Sequence, residues 1–253
     1  MPTTKPRVTS GRFWLVFRSW CFAGKLSPAD QIRFTRCFGD PEPGIARKPE
    51  GHQVPGHPHV LHLGNEPNSP TLSYGTAWHP DGLAYARVPR GVTMLHCIAC
   101  PPGAGDTLYA NQYAAYGAMS ESLRDILAGL YWHLPRIPYS EIPAGKGLIR
   151  PTVRTHPETG RKFLFCSPSA CQIRGVTRYE SARILKLVHE YQVRDEFVYR
   201  HARREPDVVV RENCTLLHNR ADVADFAPQG LRATHRSATS GSFGAVEREA
   251  AEG

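Results

Sequence analysis

The stretch that decides the fold is Val208-Val209-Val210-Arg211-Glu212-Asn213-Cys214-Thr215-Leu216-Leu217-His218. Two short runs, Val208 to Val210 and Thr215 to Leu217, consist of residues that favour strands, and a polar segment separates them. His218 stands at the end of the second run. The stretch therefore predicts two short strands with an imidazole at the point where the second one finishes.

Working outward from this stretch, further strands and helices occur in blocks. Additional strands are predicted at residues 12–22, 60–63 and 91–100, and a hairpin at 153–165. Helices are predicted after three capping residues, Ser27, Ser120 and Thr177. Many short strands with inserted helices, and no regular alternation of strand and helix, favour a mainly β sandwich or barrel.

The length of the chain, 253 residues, suits one domain better than two. We expect a single domain over residues 1–236 and a disordered tail over residues 237–253, which are rich in Ser, Gly, Ala and Glu without an apolar face. No apolar run approaches the roughly 20 residues needed to cross a bilayer. We therefore expect no membrane partner.

The net charge of +8 is spread along the chain. No block of Lys and Arg is interleaved with aromatic residues, so we expect no nucleic-acid partner and find the charge compatible with an anionic substrate. The seven cysteines are odd in number and lack the dense spacing of a disulfide scaffold. This favours a reducing compartment, and we expect a cytoplasmic location.

A candidate metal site begins at Trp78-His79-Pro80-Asp81. On an extended segment, His79 and Asp81 project to the same side, so one metal ion could bind both. The spacing alone is weak evidence, because His156-Pro157-Glu158 has it too. With His218 as a third ligand, two histidines and one carboxylate leave open coordination positions, which is the pattern of non-haem Fe(II) oxygenases.

Open positions imply a cosubstrate, and Arg232-Ala233-Thr234-His235-Arg236 supplies a candidate anchor for it. A guanidinium can hold a carboxylate through two parallel hydrogen bonds. Arg236 lies four residues after Arg232, so on a strand both side chains face the same side. We predict that Arg236 faces the pocket; the alternative is that it pairs with a carboxylate of the barrel.

An extended set of segments resembles the taurine dioxygenase and 2,4-dichlorophenoxyacetate dioxygenase family of Fe(II)/2-oxoglutarate-dependent oxygenases. The resemblance covers roughly residues 13–236, in the family's order and close to its spacing. The segments that carry it are residues 26–31, Trp78 to Asp81, Gly105 to Asn111 with Ala114 to Tyr116, Arg154 to Lys162, Glu196 to His201, Asn213 to His218 and Arg232 to Arg236.

This resemblance implies a double-stranded β-helix, or jelly-roll, barrel with inserted helices. It implies that His79, Asp81 and His218 bind Fe(II), that Thr107 and Arg232 hold the distal carboxylate of 2-oxoglutarate, and that O2 is the other cosubstrate. Arg236 resembles the arginine that binds an acidic group of the primary substrate. The expected reaction is oxidation, by default hydroxylation, of a small carboxylate or sulfonate with release of succinate and CO2. A homo-oligomer is possible.

Several departures from the family keep alternatives open. The N-terminal segment is short, residues 19–24 look inserted, and the usual Trp-Asp-Asn is replaced by Arg211-Glu212-Asn213. No asparagine corresponds to the one that contacts taurine, so taurine itself is disfavoured. A catalytically impaired relic or binding protein is one alternative. A zinc-dependent isomerase or hydrolase on a cupin-like barrel is another, although it would leave Thr107 and Arg232 without a role.

Other chemically capable residues are expected to be structural. We expect His156 and Glu158 to lie in a solvent-exposed turn, and Cys97 and Cys100 to pack within a strand. Alternation points His235 away from the face that its neighbouring arginines share. Packing or surface positions are expected for three further histidines, His96, His133 and His201.

Overall fold

A computed structural model describes residues 19–43, 52–66, 77–83, 86, 88–101, 105–134, 147–221 and 230–241. The first part of the strand predicted at 12–22 and most of the predicted tail lie outside the described residues. No helix in the described ranges combines the length and apolar character needed to span a membrane.

Short strands dominate the described structure. They are β1 (Ser19–Ala23), β2 (Gln53–Val54), β3 (His57–Gly64), β4 (Val92–Ala99), β5 (Thr107–Asn111), β6 (Tyr131–Leu134), β7 (Leu148–Pro151), β8 (Val153–Thr155), β9 (Lys162–Leu164), β10 (Gln172–Ile173), β11 (Val198–His201), β12 (Asp207–Glu212), β13 (Leu216–Arg220) and β14 (Ala233–Ala238).

These strands pair antiparallel in four sheets. Two of these sheets carry the candidate site residues. The first has six strands in the order β1-β12-β4-β14-β3-β2, and the second has three strands in the order β11-β5-β13. The guanidinium of Arg211 in the first sheet lies 5.9 Å from the ring centre of Tyr109 in the second, so these two sheets face each other. The fold class is a mainly β jelly roll with inserted helices, as expected from the sequence.

The four α-helices of the described residues are α1 (Pro28–Thr35), α2 (Gln112–Gly117), α3 (Glu121–Ala128) and α4 (Arg178–Gln192). The predicted N-caps all function: Ser27, Ser120 and Thr177 each accept a hydrogen bond from a backbone N–H of the first turn. Thr177 and Glu180 form the reciprocal capping box that the sequence predicts.

Two hydrophobic clusters stabilise the fold. The larger cluster packs α2, α3 and α4 against β6 and β9, with Trp132 and Phe163 fully buried. The smaller cluster lies under α1 and contains Met94, Val208 and Val210. Burial of each such apolar side chain contributes about 1.5–3 kcal/mol. Because side chains alternate along a strand, the intervening residues of β12 point away from α1, toward the facing sheet.

Two boundaries differ from the sequence expectation. Residues 19–24 look like an insertion, but most of them form β1, which pairs with β12 from Ser19 opposite Arg211 to Ala23 opposite Asp207. The last strand runs to Ala238, two residues beyond the expected domain end at 236, because Ser237 and Ala238 pair with β4 and are buried. Residues 242–253 lie outside the described structure.

Candidate active site

The two candidate histidine ligands are joined through their backbones. His79 and His218 each donate a backbone N–H to the other's carbonyl oxygen at 3.0 Å, and they form an isolated antiparallel bridge. Their ring centres are 4.0 Å apart. His218 lies in the middle of β13 and not at its end, as the sequence had suggested, because the strand continues to Arg220. Its pairing with His79 holds the short segment of residues 77–83, and with it Asp81, beside this strand.

The structure brings together the three residues that the sequence proposes as metal ligands. One nitrogen of His79, one of His218 and one carboxylate oxygen of Asp81 all lie within 4.8 Å of one another. Nε2 of His218 is 3.9 Å from Oδ1 of Asp81. His79 donates from Nδ1 to the carbonyl oxygen of Ala77 at 2.7 Å, which leaves its Nε2 as the lone-pair nitrogen for a metal.

One oxygen of Asp81 is fully engaged by the protein. Oδ2 accepts hydrogen bonds from the Nη2 of Arg211 at 2.6 Å, the Nη2 of Arg236 at 3.0 Å and the hydroxyl of Thr93 at 3.1 Å. The amide of Asn213 donates to the Thr93 oxygen at 2.9 Å, and this directs the Thr93 hydrogen toward Asp81. The other oxygen, Oδ1, faces His218 and is oriented for a metal ion.

Burial and charge set the protonation states of the cluster. Burial alone would raise the pKa of Asp81, but the guanidiniums of Arg236 and Arg211 outweigh it and hold that pKa well below the ordinary value. Burial, reinforced by Arg211, lowers the pKa of His218 well below its ordinary value, and burial also lowers the pKa of His79. The cluster therefore presents two neutral imidazoles and an ionised carboxylate.

This donor set fits Fe(II). Neutral imidazole nitrogens and one carboxylate oxygen on one side of a metal leave further positions open for other ligands. The hydrogen bond from His79 to Ala77 and the three bonds to Asp81 supply the outer contacts that orient such ligands.

The second group of predicted residues, Thr107 and Arg232, lies in a strongly basic region. Thr107 is buried on β5 directly opposite Arg220 of β13, and together with Arg203 it lines a small internal cavity. Arg232 is close enough to Arg203 and Arg220 that burial, followed by these two charges, lowers its pKa to about 9. Such a concentration of positive charge favours an anionic ligand.

Arg203 strengthens this interpretation. Its guanidinium donates to the hydroxyl of Thr234, while its buried Nε makes no hydrogen bond. The sequence did not single out Arg203 or Arg220. Arg220 is two residues beyond His218, and this spacing places both side chains on one face of β13. The spacing could have indicated Arg220 from the sequence.

Three expectations about individual residues change. Arg236 contacts Asp81, which is the alternative that the sequence left open, and Arg211 proves to be a direct partner of the same carboxylate. His156 is not in an exposed turn: it is buried, and its Nε2 pairs with Glu212 at 2.8 Å. The buried imidazole lies against the Glu212 carboxylate, and neither of the two metal-binding clusters found among the described residues contains His156 or Glu158.

Comparison with known proteins shows the family to which the chain belongs. Residues 11–238 match the family described as "Taurine catabolism dioxygenase TauD, TfdA family". A 2,4-dichlorophenoxyacetate dioxygenase from Cupriavidus pinatubonensis is 29% identical over 226 residues, which cover 81% of this chain and 77% of that protein. An (S)-phenoxypropionate dioxygenase from Sphingobium herbicidovorans is 27% identical over 227 residues, covering 81% and 77% of the two chains.

The fold agrees as well. A crystal structure of a taurine dioxygenase from Burkholderia xenovorans superposes with a TM-score of 0.78 at 29% identity, covering 94% of this chain and 82% of that one. The family match extends over most of the chain and includes every residue of the clusters described above. The chain therefore belongs to the TauD/TfdA family and is an Fe(II)- and 2-oxoglutarate-dependent dioxygenase that uses O2 as its second cosubstrate.

Proposed function

We propose that this dioxygenase hydroxylates a small organic acid, a carboxylate or sulfonate, and releases succinate and CO2. The observation that carries the proposal is the convergence of the donor atoms of His79, Asp81 and His218 within 4.8 Å, with two arginines hydrogen-bonded to Asp81. In this proposal those three residues bind the iron. When bound, Fe(II) supplies the activation of O2 that couples oxidation of 2-oxoglutarate to oxidation of the substrate.

The protein's part is to hold these ligands in one arrangement. Ala77 keeps the Nδ1 proton of His79 in place, so that Nε2 faces the metal position. Arg211, Arg236 and Thr93 restrain the Asp81 carboxylate through Oδ2 and leave Oδ1 for coordination. Preorganised ligands of this kind need no rearrangement when the metal enters.

Thr107 and Arg232 hold the distal carboxylate of 2-oxoglutarate in this proposal. A guanidinium and a hydroxyl suit a carboxylate, and Arg203 and Arg220 add positive charge on the same side. The buried Nε of Arg203 provides a further donor for an anion. The cosubstrate would thus be held at one end by the basic cluster and at the other by the metal.

An acidic primary substrate follows from the charge around the site and from the relatives. The two curated relatives are named for phenoxyacetate and phenoxypropionate, and the structural relative for taurine; all three compounds carry an acidic group. In this chain Arg236 reaches the metal site from β14, and a substrate anion would share its guanidinium with Asp81.

The cysteine count supports a cytoplasmic location as part of the same proposal.

A substrate screen tests the function. Purified protein with Fe(II) and 2-oxoglutarate is incubated with a panel of small carboxylates and sulfonates, and succinate and oxidised product are measured against an oxygen-free control. We expect substrate-dependent succinate release in air but not in the oxygen-free control, and none with His79→Ala. Stoichiometric iron binding without succinate release for any acid would instead support a non-catalytic relic, while release driven only by neutral compounds would remove the acidic-substrate assignment.

A further inference from the structure

A second cluster of metal-binding side chains lies outside the iron site, and two of its members, His201 and Asp207, line the same small cavity as Thr107 and Arg203. Sγ of Cys21 is 4.0 Å from Nε2 of His201, and the same nitrogen is 3.3 Å from Oδ2 of Asp207. All three donor atoms lie within 4.8 Å of one another. Among the described residues, the cluster of His79, Asp81 and His218 is the one other group that meets this criterion, and the two clusters share no residue.

Strand register explains why the three residues converge. On β1, Trp20 and Phe22 pack into the hydrophobic cluster under α1, so Cys21 between them faces the opposite way. Cys21 is paired with Val209, and Asp207 lies two residues earlier on the same strand, so their side chains share one face. His201 ends β11 and approaches from the facing sheet.

The distances between donors are close to those expected of tetrahedral metal ligands. With zinc–nitrogen and zinc–oxygen bonds of about 2.05 Å and a zinc–sulfur bond of about 2.3 Å, tetrahedral ligands are separated by about 3.4 Å for N···O and about 3.6 Å for N···S. The observed N···O and N···S separations are 3.3 Å and 4.0 Å. A charge-assisted hydrogen bond would be shorter, at about 2.7–2.9 Å.

The surroundings hold the donors in place. Asp207 Oδ2 also accepts a hydrogen bond from the backbone N–H of Arg204 at 3.1 Å, which fixes the carboxylate. The side chains of His201 and Asp207 are 8% and 16% exposed, so the cluster is largely shielded from water yet close enough to the surface to admit an ion. Cys21 forms no disulfide.

We propose that Cys21, His201 and Asp207 bind a zinc-like divalent cation. Thiolate, imidazole and carboxylate together suit Zn²⁺, and three protein ligands leave a fourth position for water. On binding, the thiol proton of Cys21 passes to solvent as the sulfur–metal bond forms. The ion would link β1, the edge strand of the large sheet, to β11 of the facing sheet. Its role would be structural, because it cross-links the two sheets.

A cobalt experiment tests this site separately from the iron site. Co²⁺ is added without oxygen to the full-length protein, in a reductant that contains no thiol, and the thiolate-to-cobalt charge-transfer band is recorded in the near ultraviolet. Only a cysteine-containing site produces this band, and the iron site has no cysteine. We expect the band to appear in the native protein, to saturate at one ion per chain in His79→Ala, and to disappear on addition of Zn²⁺.

Matched variants decide the ligands. Cys21→Ser should abolish the band, whereas Cys37→Ser, at an exposed cysteine outside the cluster, should leave it unchanged. Should Cys21→Ser fold poorly, His201→Gln and Asp207→Asn should each weaken Co²⁺ binding by about tenfold or more. Zn²⁺ at a hundredfold excess over Kd should also raise the Tm of His79→Ala by about 5–10 °C. No band in the native protein, or a band of full intensity in folded Cys21→Ser, would overturn the proposal.

Discussion

Arg211 and Asp81 lie 130 residues apart in the chain, yet the Nη2 of the arginine is 2.6 Å from Oδ2 of the aspartate. By the resemblance to the family, Arg211 takes the place of a tryptophan, and it is one of the largest fully buried side chains of the described structure. The replacement has become part of the candidate iron site, because the buried guanidinium is compensated by the carboxylate of a proposed metal ligand.

The first prediction concerns this pair. Arg211→Met removes one cationic partner of a buried carboxylate, while Arg236 and Thr93 still donate to it. We expect the free energy of unfolding of the metal-free protein to fall by about 1–3 kcal/mol in urea titrations. Arg33→Met, at a surface pair with Asp30 whose arginine side chain is 81% exposed, is the control and should change it by less than about 1 kcal/mol. Equal losses of unfolding free energy in the two variants would mean that the buried pair contributes no more to stability than the surface pair.

The second prediction is that the iron site depends on His79 and His218. Replacing either with alanine removes one of three protein ligands, so Fe(II) affinity should fall by more than about a hundredfold in equilibrium dialysis. His189→Gln, on α4 and hydrogen-bonded to the Ser167 carbonyl, serves as the control and should bind one iron per chain. Retention of stoichiometric iron by both alanine variants would refute the ligand assignment.

The third prediction separates the cosubstrate from the metal. Arg232→Gln removes the charge proposed to pair with 2-oxoglutarate, and a hydrogen bond to a charged group contributes about 1.5–3 kcal/mol. We expect the Kd for 2-oxoglutarate to rise about tenfold to a hundredfold, with iron affinity nearly unchanged. The measurement is a titration of 2-oxoglutarate without oxygen. A parallel loss of iron would indicate misfolding, and unchanged 2-oxoglutarate binding would contradict the assignment.

The fourth prediction concerns Arg236, which the structure places against Asp81. If it also binds the acidic group of the substrate, Arg236→Ala should raise the apparent KM for that acid about tenfold or more, while substrate-independent turnover of 2-oxoglutarate persists. Iron affinity should change little, because Arg211 and Thr93 still hold Asp81. Weaker iron binding together with an unchanged KM at saturating Fe(II) would assign Arg236 a purely structural role.

The fifth prediction is a loss of stability in acid that depends on His235. Burial, then the neighbouring His62, His96 and His57, lowers the pKa of His235 to about 4, whereas an unfolded histidine titrates near ~6.5. Between these values the unfolded chain binds a proton that the folded chain does not. The free energy of unfolding should therefore fall as the pH drops from about 6.5 to about 4. His235→Gln should flatten this slope in urea titrations, and an unchanged slope would exclude His235 as its source.

The sequence alone was sufficient for features that depend on local pattern. The capping box at Thr177 and Glu180 formed as predicted, since it needs residues only three positions apart. The hairpin of β8 and β9 also formed around its predicted turn. The resemblance to the family, carried by motifs in fixed order, anticipated that His79, Asp81 and His218 would meet.

Only the tertiary structure decided which polar residues from distant strands become partners. Alternation shows which face of a strand a side chain occupies, but not which strand lies opposite, so the contact of Arg211 with Asp81 could not be predicted. The same holds for His156, which sequence reasoning placed in solvent and which is buried against Glu212. Cys21 and His201 are 180 residues apart and meet only because β1 joins the edge of one sheet and β11 belongs to the sheet that faces it. Burial then makes each such partner necessary, because a charge removed from water is stable only when an opposite charge or a hydrogen-bonding group lies beside it.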